Sequence, residues 1–394
     1  MAYINFKEEA FVAKRQLSKR LENNEKLYNE IIKSKNVGKE YNPDIKYSYK
    51  VILSEHFGKN DVYSEDSFHI IQNKDIVCTE FKNCKFYGIK FKDCKFIGCK
   101  FTNCEFCEGG VVFESCTFFK EDSQKVPSLN VKDNLSCEFN NCNMYIKFEK
   151  STLSFSVFKK CNIQYTNFEN CDMSSLMIIY SKLKNISIQD CDLSGFKIIS
   201  TYIKDFEFND KDKSKLDEKS FIDKIPIITK SREEYEGLYM IYQNIADKFK
   251  ENSLNNNFGE YYYLCKSMQR KSLKLLSKIS SYIYWITCGY GERPWNAVIS
   301  SLMIIFIFAL VYLFIGVEIN GEVVRYDVSA MGNLNQTIKD FNETLSLSIG
   351  CFGGLGTINC EPVPIAYTLV NIEILIGITM QGIGIGTLTR KVVR

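Results

Sequence analysis

Residues 79–106 have the sequence TEFKNCKFYGIKFKDCKFIGCKFTNCEF, and this stretch decides the fold of most of the chain. A phenylalanine returns at every fifth position from Phe81 to Phe106, and a small or apolar residue stands two positions before each one. A five-residue period fits neither the 3.6-residue turn of an α-helix nor the two-residue alternation of an ordinary strand. Fixed self-similarity of this kind indicates a solenoid in which each unit forms one short side of a coil.

The same period continues as far as Phe208, with a break between 122 and 136, and gives about 23 units in total. These units resemble the pentapeptide-repeat family, whose unit is small–polar–Leu/Phe–x–x. The resemblance implies a right-handed quadrilateral β-helix over residues 76–210, with the central residue and the residue two before it pointing inward. Four units per coil predict about six coils, and a rod of roughly 28 Å at ~4.8 Å per coil.

Cysteine is concentrated at the position two before the central residue. Sixteen cysteines occur in the chain, and in a long region without an evident secretion signal they are expected to be reduced. We interpret them as small hydrophobic side chains that fill an interior row; the alternative is a ladder of thiols that binds metal or senses oxidants. The cysteines at this position are 84, 94, 99, 104, 116, 137, 142, 161, 171 and 191.

The charge of the repeat region argues against two functions, imitation of DNA and binding of nucleic acid. Members of the resembled family that inhibit topoisomerases present an acidic rod, whereas residues 75–207 hold 17 lysines and 17 acidic residues. The whole chain has a net charge of only +3. A neutral rod does not imitate a polyanion or attract one. The sequence also contains no nucleophile–base pair, phosphate loop or metal cluster, so we expect neither enzyme activity nor a cofactor.

The segments that flank the repeats are predicted to be helical. Residues 1–75 form a charged, partly helical cytosolic segment without the apolar core of a signal peptide. Residues 229–284 form an α-helical hairpin linker, which opens on a capping box at Ser231 and Glu234. Lysines 266, 271, 274 and 278 and Arg270 near its end lie just before an apolar run, where attraction to anionic headgroups competes with a solvated face.

Two apolar runs near the end of the chain predict membrane spans. The first, Val298 to Val317, holds twenty residues without a charge, and the second is Ile365 to Leu388. Each is long enough to cross a hydrocarbon core of about 30 Å. The sequence Thr287 to Gly291 imitates the Gly-Tyr-Gly filter of potassium channels, but no span precedes it. We interpret it as a turn at the membrane surface, beside interfacial aromatic residues.

Residues 295–394 resemble the pore module of two-transmembrane potassium-type channels, and the resemblance implies a two-helix transmembrane pore domain with a re-entrant loop. Asn342 is predicted to cap a short pore helix. The second span is expected to carry a pore-supporting or pathway-lining Glu373, and glycines 377 and 382 that serve as gating hinges or in close helix packing. The remaining predicted site residues are the filter Gly353, Gly354, Leu355, Gly356 and Thr357, and Glu361 at the mouth. Because the filter threonines and tyrosine of the family are replaced, ion selectivity stays open.

Flanking charge predicts the topology and the assembly. Bases precede the first span and follow the second at Arg390, Lys391 and Arg394, so both termini are expected in the cytosol, with the chain in the inner membrane of a bacterium. One loop cannot enclose a pore, so a homotetramer that conducts monovalent cations (K⁺ or Na⁺) across the lipid bilayer is predicted. The alternative is a non-conducting membrane scaffold that presents the repeats to a partner. A disulfide between Cys351 and Cys360 is left open.

Overall fold

The structure, a computed structural model, describes residues 4–60, 62, 64–120, 134–319, 321–326, 334–356 and 360–393. It divides into two compact units, Met1–Ser272 and Leu273–Arg394. We call them the coil unit and the helical unit and describe each by itself.

The coil unit is built on a parallel β-solenoid of about seven turns. One turn more than the expected six appears because Ile52, Phe57 and Ile71 fill interior positions ahead of the regular repeats. The strands therefore continue beyond the predicted range 76–210 at both ends.

The strands of the solenoid form two large sheets and two small ones. The first sheet stacks Val51–Leu53, Glu80–Lys82, Lys100–Thr102, Glu138–Asn140, Val157–Lys159, Met177–Ile179, Lys197–Ile199 and Phe221–Ile222. The second holds His56–Gly58, His69–Gln72, Lys85–Tyr87, Ile89–Lys92, Glu105–Glu114, Asn143–Glu149, Asn162–Glu169, Lys182–Gln189 and Tyr202–Phe208. Asp75–Val77 pairs with Lys95–Ile97, and Phe119–Lys120 pairs antiparallel with Leu135–Ser136.

The repeated phenylalanines stack in columns through the interior. Ring centroids of Phe101 and Phe139 lie 4.6 Å apart and those of Phe139 and Phe158 also 4.6 Å apart, with nearly parallel planes. These distances equal the spacing between hydrogen-bonded strands, so each ring lies over the ring of the preceding turn. The central and minus-two residues are buried, as the repeat pattern predicts.

Corners between the sides require a left-handed backbone. The residue two positions after most of the central residues adopts a positive φ, for example 55° at Asn83, 51° at Asp93 and 53° at Asn103. Asn and Asp enter this region more readily than other residues with a side chain, and Gly88 and Gly98 take the same place in their units. The last residue of each five-residue unit therefore turns the chain.

The cysteine row points into the solenoid. All ten cysteines of this row are free and buried. The Cys104 Sγ donates to the carbonyl of Phe81 over 3.3 Å, and the Cys161 Sγ does the same to Phe139. Among the described residues no group of three or more His, Cys, Asp or Glu side chains is placed to hold a metal ion.

Helix α1, Phe6–Ser34, packs along the outside of the solenoid. Its residues Ala13 and Leu17 cover a strip of outward-facing apolar residues that includes Val157, Ile179 and Ile199. Near the middle of α1, the Arg20 guanidinium donates to the carbonyls of Phe155 and Ser175, and burial lowers the pKa of Arg20 to about 10.

Two antiparallel helices, α2 (Arg232–Glu251) and α3 (Asn255–Ser272), close the last turn. The Tyr261 hydroxyl donates to the carbonyl of Ile222 and accepts from its N–H, both at 2.8 Å. The final strand thus receives side-chain partners where another strand would add. Helix α2 begins at the predicted box, with the Ser231 Oγ accepting from the Glu234 N–H at 3.2 Å.

The helical unit contains α4 (Leu275–Cys288), α5 (Pro294–Ile315), α6 (Leu334–Gly353) and α7 (Tyr367–Val393). The predicted linker 229–284 is thus divided, because α2 and α3 belong to the coil unit. A small antiparallel sheet of Val317–Ile319, Glu322–Val324 and Cys360–Pro362 connects the helices. Two segments, Pro294–Ile315 and Pro364–Val392, are long and apolar enough to cross a membrane.

Candidate functional site

The candidate site is the place where α6 packs between α5 and α7. One face of the C-terminal half of α6 is buried, with Thr344, Leu347 and Ser348 at most 1% exposed. Tyr312 of α5 and Cys351 of α6 belong to the same apolar cluster. Helix α6 begins at Leu334, so the prediction that Asn342 caps a short helix is wrong. No glycine or proline interrupts residues 334–349, and the helix runs through Asn342.

A buried polar network ties the three helices together. The Tyr312 hydroxyl donates to the Glu373 Oε2 at 2.7 Å, and the Ser348 hydroxyl contacts the Glu373 Oε1. The Ser348 Oγ also lies 2.9 Å from the carbonyl oxygen of Ile305 in α5. Glu373 itself is 0% exposed. A buried carboxyl group is costly unless it is hydrogen-bonded, so these contacts, here called the Glu373 network, fix the position of α6.

The C-terminal end of α6 rests directly on α7. A Cβ added at Gly377 would meet the Phe352 carbonyl oxygen at 2.1 Å, which no side chain tolerates. The Gln381 Nε2 donates to the same oxygen at 3.2 Å. Close approach is therefore the structural role of Gly377, whereas a Cβ at Gly382 would meet nothing within 4 Å.

The predicted filter residues lie at the C-terminal end of α6 and directly after it in the chain. Gly353 is the last residue of α6, and the Leu355 N–H donates to the Gly350 carbonyl at 2.9 Å. Gly354 and Gly356 have φ of 67° and 79°, left-handed values that favour glycine. The Leu355 side chain is 84% exposed. Thr357 lies outside the described residues.

Glu361 lies in the small sheet beyond this stretch. It is exposed and stands directly opposite Glu318 on the neighbouring antiparallel strand. Two like charges at facing positions repel each other, so this surface carries a concentrated negative potential. Cys351 and Cys360 are both buried free thiols of the same apolar cluster.

Helix α4 and the turn after it precede the first apolar helix. Gly289, Tyr290 and Gly291 form a turn with left-handed backbone angles that joins α4 to α5. The sequence Thr287 to Gly291, which resembles a potassium-channel filter, is therefore part of a turn, as predicted. One face of α4 is exposed and apolar, and its residues Leu275, Leu276, Ile279, Ile283 and Ile286 are between 52% and 82% exposed. The other side contacts α5, where the Ser300 Oγ donates to the Ile286 carbonyl at 3.0 Å.

Several residues of the site were not found from the sequence. Tyr312 and Ser348 partner Glu373 across 61 and 25 positions of the chain, and Gln381 reaches α6 from α7. The available signal was weak: Tyr312 is a hydroxyl-bearing residue inside an otherwise apolar run, and a buried carboxyl group requires such donors.

Comparison with known proteins confirms the repeats. Family models described as pentapeptide repeats match residues 81–122 (9 copies) and 146–175 (8 copies). Among solved structures, trypsin-treated QnrB1, a plasmid-mediated fluoroquinolone resistance protein, is 14% identical; the match covers 44% of this chain and 92% of that one, with a TM-score of 0.20. The pentapeptide repeat protein Rfr23 from the cyanobacterium Cyanothece 51142 is 13% identical over 43% of this chain and 88% of its own, with a TM-score of 0.13. No curated protein matches the chain.

The coil unit thus contains pentapeptide repeats, and the helical unit holds two candidate membrane helices. The matched residues lie within the solenoid, and neither match extends to α4, α5, α6 or α7.

Proposed function

We propose that the chain is a subunit of a homotetrameric channel for monovalent cations, with α5 and α7 in the inner membrane and both termini in the cytosol. The observation that carries the proposal is the buried face of the C-terminal half of α6, which packs against α5 and α7 and is held there by the Glu373 network. A polar helix held in this way, followed by glycines that free the backbone, suits a passage lined with carbonyl groups.

Exposure of the two apolar helices supports a membrane position. In the single chain, only 22% of the most apolar part of Pro294–Ile315 and 17% of that of Pro364–Val392 is buried. The core helix of a soluble protein is mostly buried. Lipid and neighbouring subunits would cover this surface. The exposed apolar face of α4, preceded by Lys274, suits the interface between headgroups and acyl chains.

Tryptophan fluorescence tests the membrane position, because the chain has only Trp285 and Trp295. Both lie at the α4–α5 junction, so in reconstituted protein we expect quenching by lipids brominated near the headgroup to exceed quenching by lipids brominated near the chain end. Absence of quenching by any brominated lipid contradicts the membrane position.

Ion flux tests conduction. The full chain, purified as a tetramer and reconstituted in liposomes, is expected to pass K⁺ or Na⁺. An intact tetramer that passes neither ion across a range of voltage, pH and calcium overturns the proposal. It favours the second candidate, a non-conducting membrane scaffold that presents the coil unit to a partner. The confirmed repeats are the observation behind that candidate, because solenoids of this kind offer extended binding surfaces.

A cysteine at Leu355 tests which residues line the passage. We expect a charged methanethiosulfonate reagent to reduce flux through L355C by more than half, because this side chain is exposed beside Gly354 and Gly356. The matched control is I338C, which is 52% exposed on the first turns of α6. Equal inhibition of both variants, or of neither, contradicts the placement of the pathway at the end of α6.

A further inference from the structure

The joint between α4 and α5 is an unusual piece of backbone. Three consecutive residues, Gly289, Tyr290 and Gly291, have φ of 53°, 59° and 82°. A left-handed Tyr290 costs conformational energy, and such residues persist where their surroundings fix them. Here the Tyr290 hydroxyl lies 2.9 Å from the Ser281 Oγ of α4. The turn therefore holds a defined shape rather than acting as a loose linker.

The residue after this turn, Glu292, binds the end of α7. Its carboxylate accepts from the Arg390 Nη2 at 2.8 Å and lies 3.6 Å from the Lys391 Nζ. Glu292 is 0% exposed, and the Lys391 side chain is only 5% exposed. The φ of 82° favours glycine at position 291, and a Cβ there would lie 3.0 Å from the Arg390 Nη1. We call these contacts the Glu292 clasp.

Two of the three bases that follow the second apolar run, Arg390 and Lys391, thus have a local partner. A buried carboxylate that loses its cations is strongly unfavourable, so the joint and the end of α7 are held in one geometry. The same helix carries Glu373 and Gly377, which position α6. A displacement of the α4–α5 joint would consequently be transmitted along α7 toward the candidate passage.

We propose that Glu292 is a positioning residue that couples α4 to the end of α7 and thereby sets the gating equilibrium of the channel. The inference rests on the proposed function. Residues 273 and 274 connect α4 to the last helix of the coil unit, so a movement of α4 would reach the end of α7 through the clasp.

Hydrogen exchange tests the clasp without requiring conduction. In full-length protein in lipid nanodiscs, E292Q is expected to raise amide exchange at residues 387–392 at least tenfold, with no change in the coil unit. Should E292Q fail to assemble, R390Q serves instead, because Arg390 is 35% exposed and its neutralisation leaves a shallower defect. The control is E236Q, which removes the exposed pair with Arg232. Unchanged exchange at 387–392 in both clasp variants overturns the inference.

Single-channel recording tests the coupling to gating. E292Q and R390Q are each expected to change the ratio of open to closed times at least fivefold, with unit conductance unchanged. The double variant should differ from the product of the two single effects by at least fivefold, because both changes remove the same contact. Multiplicative effects, or a change in conductance alone, overturn the coupling. A wild type that never conducts refutes the proposed function, while hydrogen exchange still decides on the clasp.

Discussion

Gly377 lies too close to the backbone of α6 to carry a side chain. The carbonyl oxygen of Phe352 occupies the space that a Cβ would need, and that oxygen also accepts from Gln381. The fixed end of α6 depends on this contact, since backbone atoms cannot move aside as a flexible side chain does. The two glycines proposed as hinges from the sequence therefore differ: one is held by packing and the other faces open space in the single chain.

Substitution of the two glycines distinguishes these roles. We expect G377A to separate α6 from α7, to abolish cation flux and to lower the temperature at which the detergent-solubilised protein loses its native elution profile. We expect G382A to keep the elution profile. Size-exclusion chromatography after heating measures this difference. Equal behaviour of the two variants contradicts the close contact at Gly377.

In the coil unit, the residue whose contacts give the clearest prediction is Asp210. Burial raises the pKa of its carboxyl group, but hydrogen bonds from Lys248 and Ser214 outweigh burial and lower it. The Lys248 Nζ lies 2.7 Å from the Asp210 Oδ2, and both side chains are less than 9% exposed. This pair connects α2 to the last turn of the solenoid.

The pair predicts a pH-dependent contribution to stability. Because the folded pKa of Asp210 lies below its unfolded value of about 3.9, the stabilisation is complete well above that pH and disappears as pH falls through the folded pKa. D210N is expected to cost on the order of 3 kcal/mol at pH 7. Denaturation followed by circular dichroism should show the gap between wild type and D210N closing from about pH 5 downward. A gap independent of pH contradicts the charged pair.

At the scale of the elements, the repeat pattern predicted the interior of the solenoid but not that α1 covers its outside. The interior rows were predictable because one residue type marks one position in every unit, as at Phe81 and Phe101. The outward-facing Ile179 and Ile199 were signals of a covering element, since an exposed apolar strip is unfavourable, but nothing in the period says which segment covers it. The Glu373 network was equally out of reach, because its donors come from distant segments.

Two substitutions on α1 test its packing. Ala13 is 0% exposed against the solenoid, whereas the larger Phe11 is 68% exposed. A13E places an unpaired carboxylate in an apolar contact, so we expect α1 to detach and trypsin to cleave within residues 14–33 at least tenfold faster. F11E should leave the cleavage rate within a factor of two. Faster cleavage in F11E than in A13E contradicts the observed helix face.

At the scale of the whole molecule, the two units meet their surroundings differently. The solenoid buries its phenylalanine columns internally and closes its last strand with α2 and α3. The helical unit leaves most of α5 and α7 exposed in the single chain. The repeat period predicted the solenoid and the hydropathy predicted two long apolar helices, whereas the partners of single side chains could not be predicted.

Separation of the units tests this division. A chain of residues 1–272 is expected to be soluble without detergent, with the circular dichroism of strands and a cooperative melt, whereas residues 273–394 should aggregate unless detergent covers α5 and α7. The matched control ends at residue 230 and lacks α2 and α3. It exposes Phe221, Ile222 and an open strand edge, so it should self-associate, as measured by light scattering. A soluble, monomeric 1–230 would show that the hairpin is not needed as a cap of the last turn.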